Sequence, residues 1–136
     1  MVLDASIALS WFLDDPVPLA AQRVRRFLES GGRAIVPHLW HLEVANGFLT
    51  SVRRRILTSD AAKVAIVNLN HLLASSIDTD SGFTPLGQIH DFAQSLPLSA
   101  YDAAYLNFAR VQNRPLATLD KSLIRAAQKI GVEVFS

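Results

Sequence analysis

Four carboxylates in this sequence stand beside or within apolar stretches, where a charged side chain requires an explanation. Asp4 follows the run MVL, Asp120 follows PLATL, Asp102 opens the run DAAYLNFA, and Glu43 lies inside the segment HLWHLEVANGFLTSV. Acids from separate segments can share one hard divalent cation such as Mg²⁺, which prefers carboxylate oxygen and keeps several waters. Without a cation they would repel one another and raise each other's pKa values. Metal sites of this kind serve phosphoryl chemistry, because they activate a water and stabilise charge on the phosphate.

Helix capping is the competing explanation for three of these acids. Asp4 and Asp120 can be the N-caps of the helices that follow them. Asp102 comes three residues after Ser99, which is the spacing of a capping box. Capping is the better explanation for each acid taken singly. It leaves unexplained why the acids should fall on the same edge of the fold.

Glu43 belongs to a predicted helix over residues 38–52 whose apolar residues cover most of the circumference. Such a helix is expected to be buried on several sides. Its remaining narrow stripe, which either meets solvent or lines a cleft, consists of Glu43, Asn46, Gly47 and Thr50. The apolar surface is larger than one neighbouring sheet can cover, which predicts an interface and a homodimer.

Short apolar runs alternate with helical patterns along the whole chain. This order predicts an α/β fold with a parallel sheet, right-handed crossovers and helices on both faces. Ligands of such sheets bind beyond the carboxyl ends of the strands, where Asp4 and Asp120 fall by sequence order alone. The predicted strands are MVLD, AIVP, SIDTD, PLATLD and VEVF, and the predicted helices cover residues 6–13, 17–30, 38–52, 59–74, 84–95, 98–113 and 121–130.

Composition restricts the class of protein. The 136 residues are half hydrophobic, which predicts one domain with a real core. The absence of cysteine excludes disulfides, zinc–thiolate sites and cysteine nucleophiles. No apolar run approaches the roughly 20 residues that span a bilayer, and the N-terminus is too acidic and too short for a signal peptide. We therefore expect a cytoplasmic protein with no membrane partner.

The net charge of +1 says nothing about partners, but the arginines are clustered. Such clusters suit contacts with RNA phosphates, although solvated helix faces are the better explanation when nothing else is known. The two clusters are Arg23, Arg25 and Arg26, and Arg53, Arg54 and Arg55.

Four stretches together resemble a known family: VLDASIALSWFL, PHLWHLEVANGFL, LSAYDAAYLNFA and PLATLDKSLIRAAQKIGVEV. Their order and spacing are similar to those of the PIN domain, and more closely to the VapC-type ribonuclease toxins of bacterial and archaeal toxin–antitoxin pairs. The resemblance implies a single PIN domain over residues 1–136, with a three-layer α/β/α fold and a central parallel sheet of four or five short strands. It also implies an endoribonuclease that depends on Mg²⁺ or Mn²⁺, forms a homodimer and is held inactive by a cognate VapB-type antitoxin.

The resemblance also implies roles for individual residues. The acids that match the family's catalytic and metal-binding site are Asp4, Glu43, Asp102 and Asp120. Ser6 matches a hydroxyl often found beside the first acid, Thr118 a hydroxyl common before the last acid, and Asn46 the asparagine of the family's EVAN stretch. Ser122 stands where some PIN nucleases carry a further acid, which leaves open whether one or two metal ions bind.

Three other classes of protein share part of this pattern. A catalytically inactive PIN-like RNA-binding or protein-interaction module would retain the acids without using them, and metal-dependent cleavage distinguishes it from a nuclease. A phosphoacceptor domain of the receiver class needs a paired acid near the start and a separate late lysine, whereas Asp4 stands alone and Lys121 follows Asp120 directly. A haloacid-dehalogenase-type phosphatase would need a second acid in place of Ser6. These last two classes are discounted.

Overall fold

The computed structural model describes residues 1–136 and contains four short strands and seven helices. The strands are β1 (Val2–Leu3), β2 (Ala34–Pro37), β3 (Ile77–Asp80) and β4 (Leu116–Ala117). The helices are α1 (Ala5–Leu13), α2 (Leu19–Glu29), α3 (Leu39–Arg53), α4 (Ser59–Ser75), α5 (Leu86–Ser95), α6 (Ala100–Val111) and α7 (Lys121–Ile130). None of these helices has both the length and the apolar character needed to cross a membrane.

The strands form one parallel sheet in the order β3-β2-β1-β4. This sheet, with helices flanking it, confirms the α/β fold class, and its four strands lie within the four or five that the family resemblance implies. The predicted last strand, VEVF, is reduced to a single parallel bridge between Val134 and Leu116. Strand β4 has only two residues before the chain turns toward α7, so it offers little backbone for a longer ladder.

The strand order reverses at β1, which makes β1 the switch point of the sheet. The chain moves from β1 to β2 and β3, then returns to β4 on the other side of β1. Right-handed crossovers therefore place the helices before β3 on one face and those after β3 on the other. The carboxyl ends of β1 and β4 flank the switch point, which is where open α/β sheets bind their ligands.

Helix α3 is less buried than its sequence suggested. Its buried side chains are Trp40, Val44, Phe48 and Ser51. Leu42 and Leu49 are 68% and 45% exposed. The expectation that α3 is buried on several sides was wrong, because its inner face packs against the domain while apolar side chains on its outer face remain uncovered.

The close approach of α1 and α3 brings the start of α3 toward the end of β1. Phe12 and Phe48 meet edge to face, with ring centroids 5.8 Å apart. A Cβ atom on Gly47 would lie 2.6 Å from a methyl carbon of Leu9, so the absence of a side chain at position 47 permits this spacing. Glu43 lies one turn before Gly47, on the same helix face.

Capping residues fix the ends of three helices. The Thr58 hydroxyl accepts a hydrogen bond from the amide of Ala61, and Ser99 does the same for Asp102, each at 3.1 Å. Helix α7 ends at Gly131, whose φ of +77° is a conformation that glycine adopts without strain. Ser99 thus fixes the start of α6 and places Asp102 in its first turn.

Candidate functional site

Two of the predicted acids lie side by side at the switch point. Leu3 pairs with Ala117 in the sheet, and the amide of Asp4 donates to the carbonyl of Ala117 at 2.9 Å. Asp4 follows β1 directly, and Asp120 follows β4 after Thr118 and Leu119. The strands therefore bring together residues at opposite ends of the sequence.

The Asp4 side chain is buried and is held through only one of its oxygens. Oδ2 accepts hydrogen bonds from the hydroxyls of Ser6, at 2.5 Å, and Thr118, at 2.7 Å. The amides of Ala5 and Ser6 at the start of α1 lower the pKa of this carboxylate, but neither makes a capping hydrogen bond with it, so capping alone does not explain this residue. Oδ1 receives no protein hydrogen bond and remains available to another partner.

The two hydroxyls are themselves oriented by backbone amides. Ser6 Oγ accepts from the amide of Leu119 at 3.0 Å, and Thr118 Oγ1 accepts from the amide of Asp120 at 3.1 Å. Because an amide hydrogen occupies a lone pair of each hydroxyl, the hydroxyl hydrogen is directed toward Asp4. These contacts also tie the turn after β1 to the turn after β4.

Asp120 caps the last helix, as the competing explanation proposed. Its Oδ1 accepts from the amide of Leu123 at 2.9 Å, at the start of α7. Its Oδ2 has no protein donor, and the side chain is exposed to solvent. Capping therefore occupies one oxygen and leaves the second free, so it does not preclude a role in binding.

Glu43 and Asp102 reach the same edge from helices on opposite faces of the sheet. Glu43 Oε2 accepts from the hydroxyl of Tyr105 at 2.5 Å, which joins α3 to α6. Asp102 is half-buried; the Ser99 hydroxyl accepts from its backbone amide at 3.1 Å and also stabilises the charge of its carboxylate. Sequence reasoning missed Tyr105, although its position three residues after Asp102 puts both on one helix face.

The pKa values indicate that these carboxylates act on one another. Burial raises the pKa of Asp4 despite the two hydroxyls that stabilise its charge. Burial also raises the pKa of Glu43, and the charges of Asp4 and Asp102 raise it further. For Asp102, burial is again the largest cause, supplemented by the charges of Asp120 and Asp4. The edge is thus strongly electronegative, a condition that a bound cation would relieve.

The donor chemistry of this edge suits a hard divalent cation. Every candidate donor is an oxygen, and at least one oxygen of each acid has no protein hydrogen bond. No three Asp, Glu, His or Cys side chains are grouped so as to hold an ion by themselves. Mg²⁺ commonly uses only one or two carboxylates and keeps its remaining waters. The residues present fit such an ion, and direct ligation by all four acids stays a prediction.

The remaining candidates lie on exposed surface. Asn46 is exposed on α3, and its side chain makes no hydrogen bond. Arg25 pairs with Glu29 at 2.9 Å and lies over the ring of Trp11, so part of the first arginine cluster already has protein partners. The second cluster, residues 53–55, is exposed at the end of α3. Contact of either cluster with RNA stays a prediction.

The chain is similar to one family of known proteins in sequence and to two solved structures in fold. Residues 1–129 match the family model described as "PIN domain". The crystal structure of PAE2754 from Pyrobaculum aerophilum is similar with a TM-score of 0.68 and 24% identity, covering 92% of this chain and 82% of that one. The crystal structure of FitAcB from Neisseria gonorrhoeae has a TM-score of 0.66 and 19% identity, covering 99% and 96%. These two likenesses show a shared fold. No match was found among the curated proteins.

Proposed function

The chain belongs to the PIN domain family, and we propose that it is a metal-dependent endoribonuclease, the VapC-type toxin of a toxin–antitoxin pair. Domains of this family are generally nucleases. One observation on this chain itself supports a metal site. Asp4, Glu43 and Asp120 are each held by hydrogen bonds to one carboxylate oxygen, while the other oxygen is free at the electronegative edge of the sheet.

The proposed roles follow from these contacts. Ser6 and Thr118 hold Asp4, the turn of α7 holds Asp120, and all the free oxygens would bind Mg²⁺ or Mn²⁺ together with Asp102. A bound cation of this kind supplies charge neutralisation at the phosphodiester and activation of water. The residues of the chain supply the fixed orientation, which matters because small displacements of a catalytic group cost much of the rate. The product would be RNA cleaved by hydrolysis of an internal phosphodiester bond.

The charge of the site also bears on its partners. Burial raises the pKa values of Asp4, Glu43 and Asp102, and the charges of neighbouring carboxylates raise those of Glu43 and Asp102 further. Because these groups are carboxylates, RNA phosphates would be repelled from the edge when no cation is present. A guanidinium group can instead pair with carboxylates through two hydrogen bonds. We therefore propose that the cognate VapB-type antitoxin places a basic side chain against these acids. Steric blockade of the RNA path is the alternative.

The uncovered apolar side chains of α3 support an interface. Leu42 and Leu49 are exposed on this helix, and exposed apolar patches mark interaction sites when they are extensive. A homodimer is accordingly part of the proposal. Two copies would supply two sets of arginines for a longer RNA.

The experiment is an RNA cleavage assay on purified protein. Cleavage should occur with Mg²⁺ or Mn²⁺, stop in excess EDTA and return when the metal is restored. Glu43→Gln should abolish it, whereas Glu133→Gln should not, because Glu133 is exposed beyond α7 and makes no side-chain contact with the site. RNA that is bound but never cleaved under these conditions would favour the inactive binding module instead.

A further inference from the structure

Glu43 is positioned by a single side chain, the hydroxyl of Tyr105. We propose that Tyr105 is a positioning residue for the metal site: its hydroxyl fixes Glu43 Oε2 and leaves Oε1 as the oxygen that binds the cation. This inference rests on the proposed function and deepens it. It concerns a residue that neither the acidic pattern of the sequence nor the family match singles out.

The position of Tyr105 allows its hydroxyl to hold the Glu43 carboxylate in place. Its side chain is 0% exposed, so the core determines where the hydroxyl lies. The donor–acceptor distance of 2.5 Å is typical of a hydroxyl bonded to an ionised carboxylate. Tyr105 follows Asp102 by three residues on α6, so one helix both carries one acid and orients another from α3.

Glu43 needs such a partner more than the other acids do. Asp4 is held by two hydroxyls and Asp120 by a helix amide. Glu43 has a longer side chain that is only half-buried, and the bond from Tyr105 is the only hydrogen bond its carboxylate accepts. Fixing a long side chain before the metal arrives removes the entropy loss from the binding step.

If Tyr105 had only a structural role, removing its hydroxyl would have a different effect. A buried tyrosine hydroxyl usually finds a hydrogen-bond partner, and Glu43 satisfies that need. If this were all, removing the hydroxyl would change stability and leave the affinity for metal unchanged. Partners that orient metal ligands instead cost roughly 10- to 100-fold in affinity or activity when they are removed.

The test compares the two tyrosines of the chain, which lie on the same helix. Tyr105→Phe removes the hydroxyl and keeps the ring, while Tyr101→Phe is the matched control because Tyr101 is 65% exposed and makes no side-chain hydrogen bond. Mn²⁺ alone is titrated into each protein, and free Mn²⁺ is measured by electron paramagnetic resonance. We expect at least about tenfold weaker binding for Tyr105→Phe and wild-type binding for Tyr101→Phe. Wild-type affinity in Tyr105→Phe overturns the inference.

A double-mutant cycle establishes whether Tyr105 acts through Glu43. Glu43→Asp keeps the charge but is too short to keep the contact, so Tyr105→Phe should weaken Mn²⁺ binding less than about twofold further in that background. An equal loss in both backgrounds overturns the inference. In the cleavage assay, kcat should fall in Tyr105→Phe while KM for RNA is retained. If Tyr105→Phe does not fold, Glu43→Asp alone, which breaks the contact and keeps the charge, must bind Mn²⁺ at least about tenfold more weakly than the wild type; wild-type affinity in that variant overturns the inference.

The experiments distinguish failure of the nuclease proposal from failure of the role proposed for Tyr105. A wild-type protein that binds no Mn²⁺ and cleaves no RNA rejects the nuclease proposal whatever Tyr105 does. The crystal structure of Tyr105→Phe then decides the inference. A Glu43 carboxylate displaced from its wild-type position supports positioning by Tyr105, and an unmoved carboxylate contradicts it.

Discussion

Asp102→Asn separates the two explanations of an acid that stands in the first turn of α6. Asparagine has nearly the size and shape of aspartate but carries no charge. The cap of the helix is made by the Ser99 hydroxyl and the backbone amide of residue 102, so the substitution leaves it intact. Any effect on folding must therefore come from the lost charge.

The change in stability is the sum of two opposed effects. A negative charge in the first turn of a helix stabilises it by about 0.3–1 kcal/mol, which Asn forfeits. Asp102 also has a raised pKa, caused first by burial and then by the charges of Asp120 and Asp4, so its ionised form opposes folding at neutral pH. The net change should stay within about 1 kcal/mol. For 136 residues at roughly 2.1 cal/mol/K per residue, that is about 3.5 °C in Tm.

Asp102→Asn should reduce RNA cleavage far more than it changes stability. If Asp102 contributes to the metal site, cleavage of RNA should fall on the order of 100-fold or more. Asp60→Asn is the matched control, because Asp60 is an exposed first-turn acid of α4. It should lose the same small helix-terminus stabilisation and keep wild-type activity. Thermal melts in EDTA and initial cleavage rates in Mg²⁺ measure the two quantities separately. Activity retained in Asp102→Asn, with a Tm many degrees lower, would refute the reasoning.

Three further predictions follow from the same features. The pKa values of Asp4, Glu43 and Asp102 are raised, so the stability they contribute is complete below about pH 4 and is lost as pH rises through their folded-state values. Metal-free protein should therefore show a Tm that falls toward neutral pH, less so in Asp102→Asn; a drop of equal size in that variant would count against the assignment. Light scattering should find a homodimer, and a stable monomer at micromolar concentration would contradict it. Excess Mn²⁺ should weaken antitoxin binding, and Asp120→Asn should reduce that sensitivity; affinity indifferent to both would favour steric blockade.

The parts of the fold that the sequence predicts are those that local patterns control. The order of strands and helices follows from short apolar runs alternating with helical periodicity. The caps at Thr58 and Ser99 and the end of α7 at Gly131 follow from side chains within three residues of each helix end. The position of Asp4 at the switch point follows from strand order in a parallel sheet, which also predicts where Asp120 falls.

Features that depend on packing between distant segments escaped prediction. The contact between Tyr105 and Glu43 joins residues 62 positions apart, and its formation depends on how α3 and α6 meet across the edge of the sheet. A helical wheel of α3 counts apolar residues but does not say which side meets the domain, so the helix was expected to be buried on several sides, whereas Leu42 and Leu49 are exposed. The last strand shrinks to one bridge at Val134 because its neighbour β4 is so short.

The most direct test of the account is to locate the metal. Crystals soaked in Mn²⁺ and measured for anomalous scattering should show a peak at the carboxyl edge of β1 and β4. The oxygens nearest to it should be those left without protein donors, beginning with Asp4 Oδ1 and Glu43 Oε1. A protein that binds Mn²⁺ only elsewhere, with this edge empty at saturating metal, would contradict the central claim that these acids form a nuclease metal site.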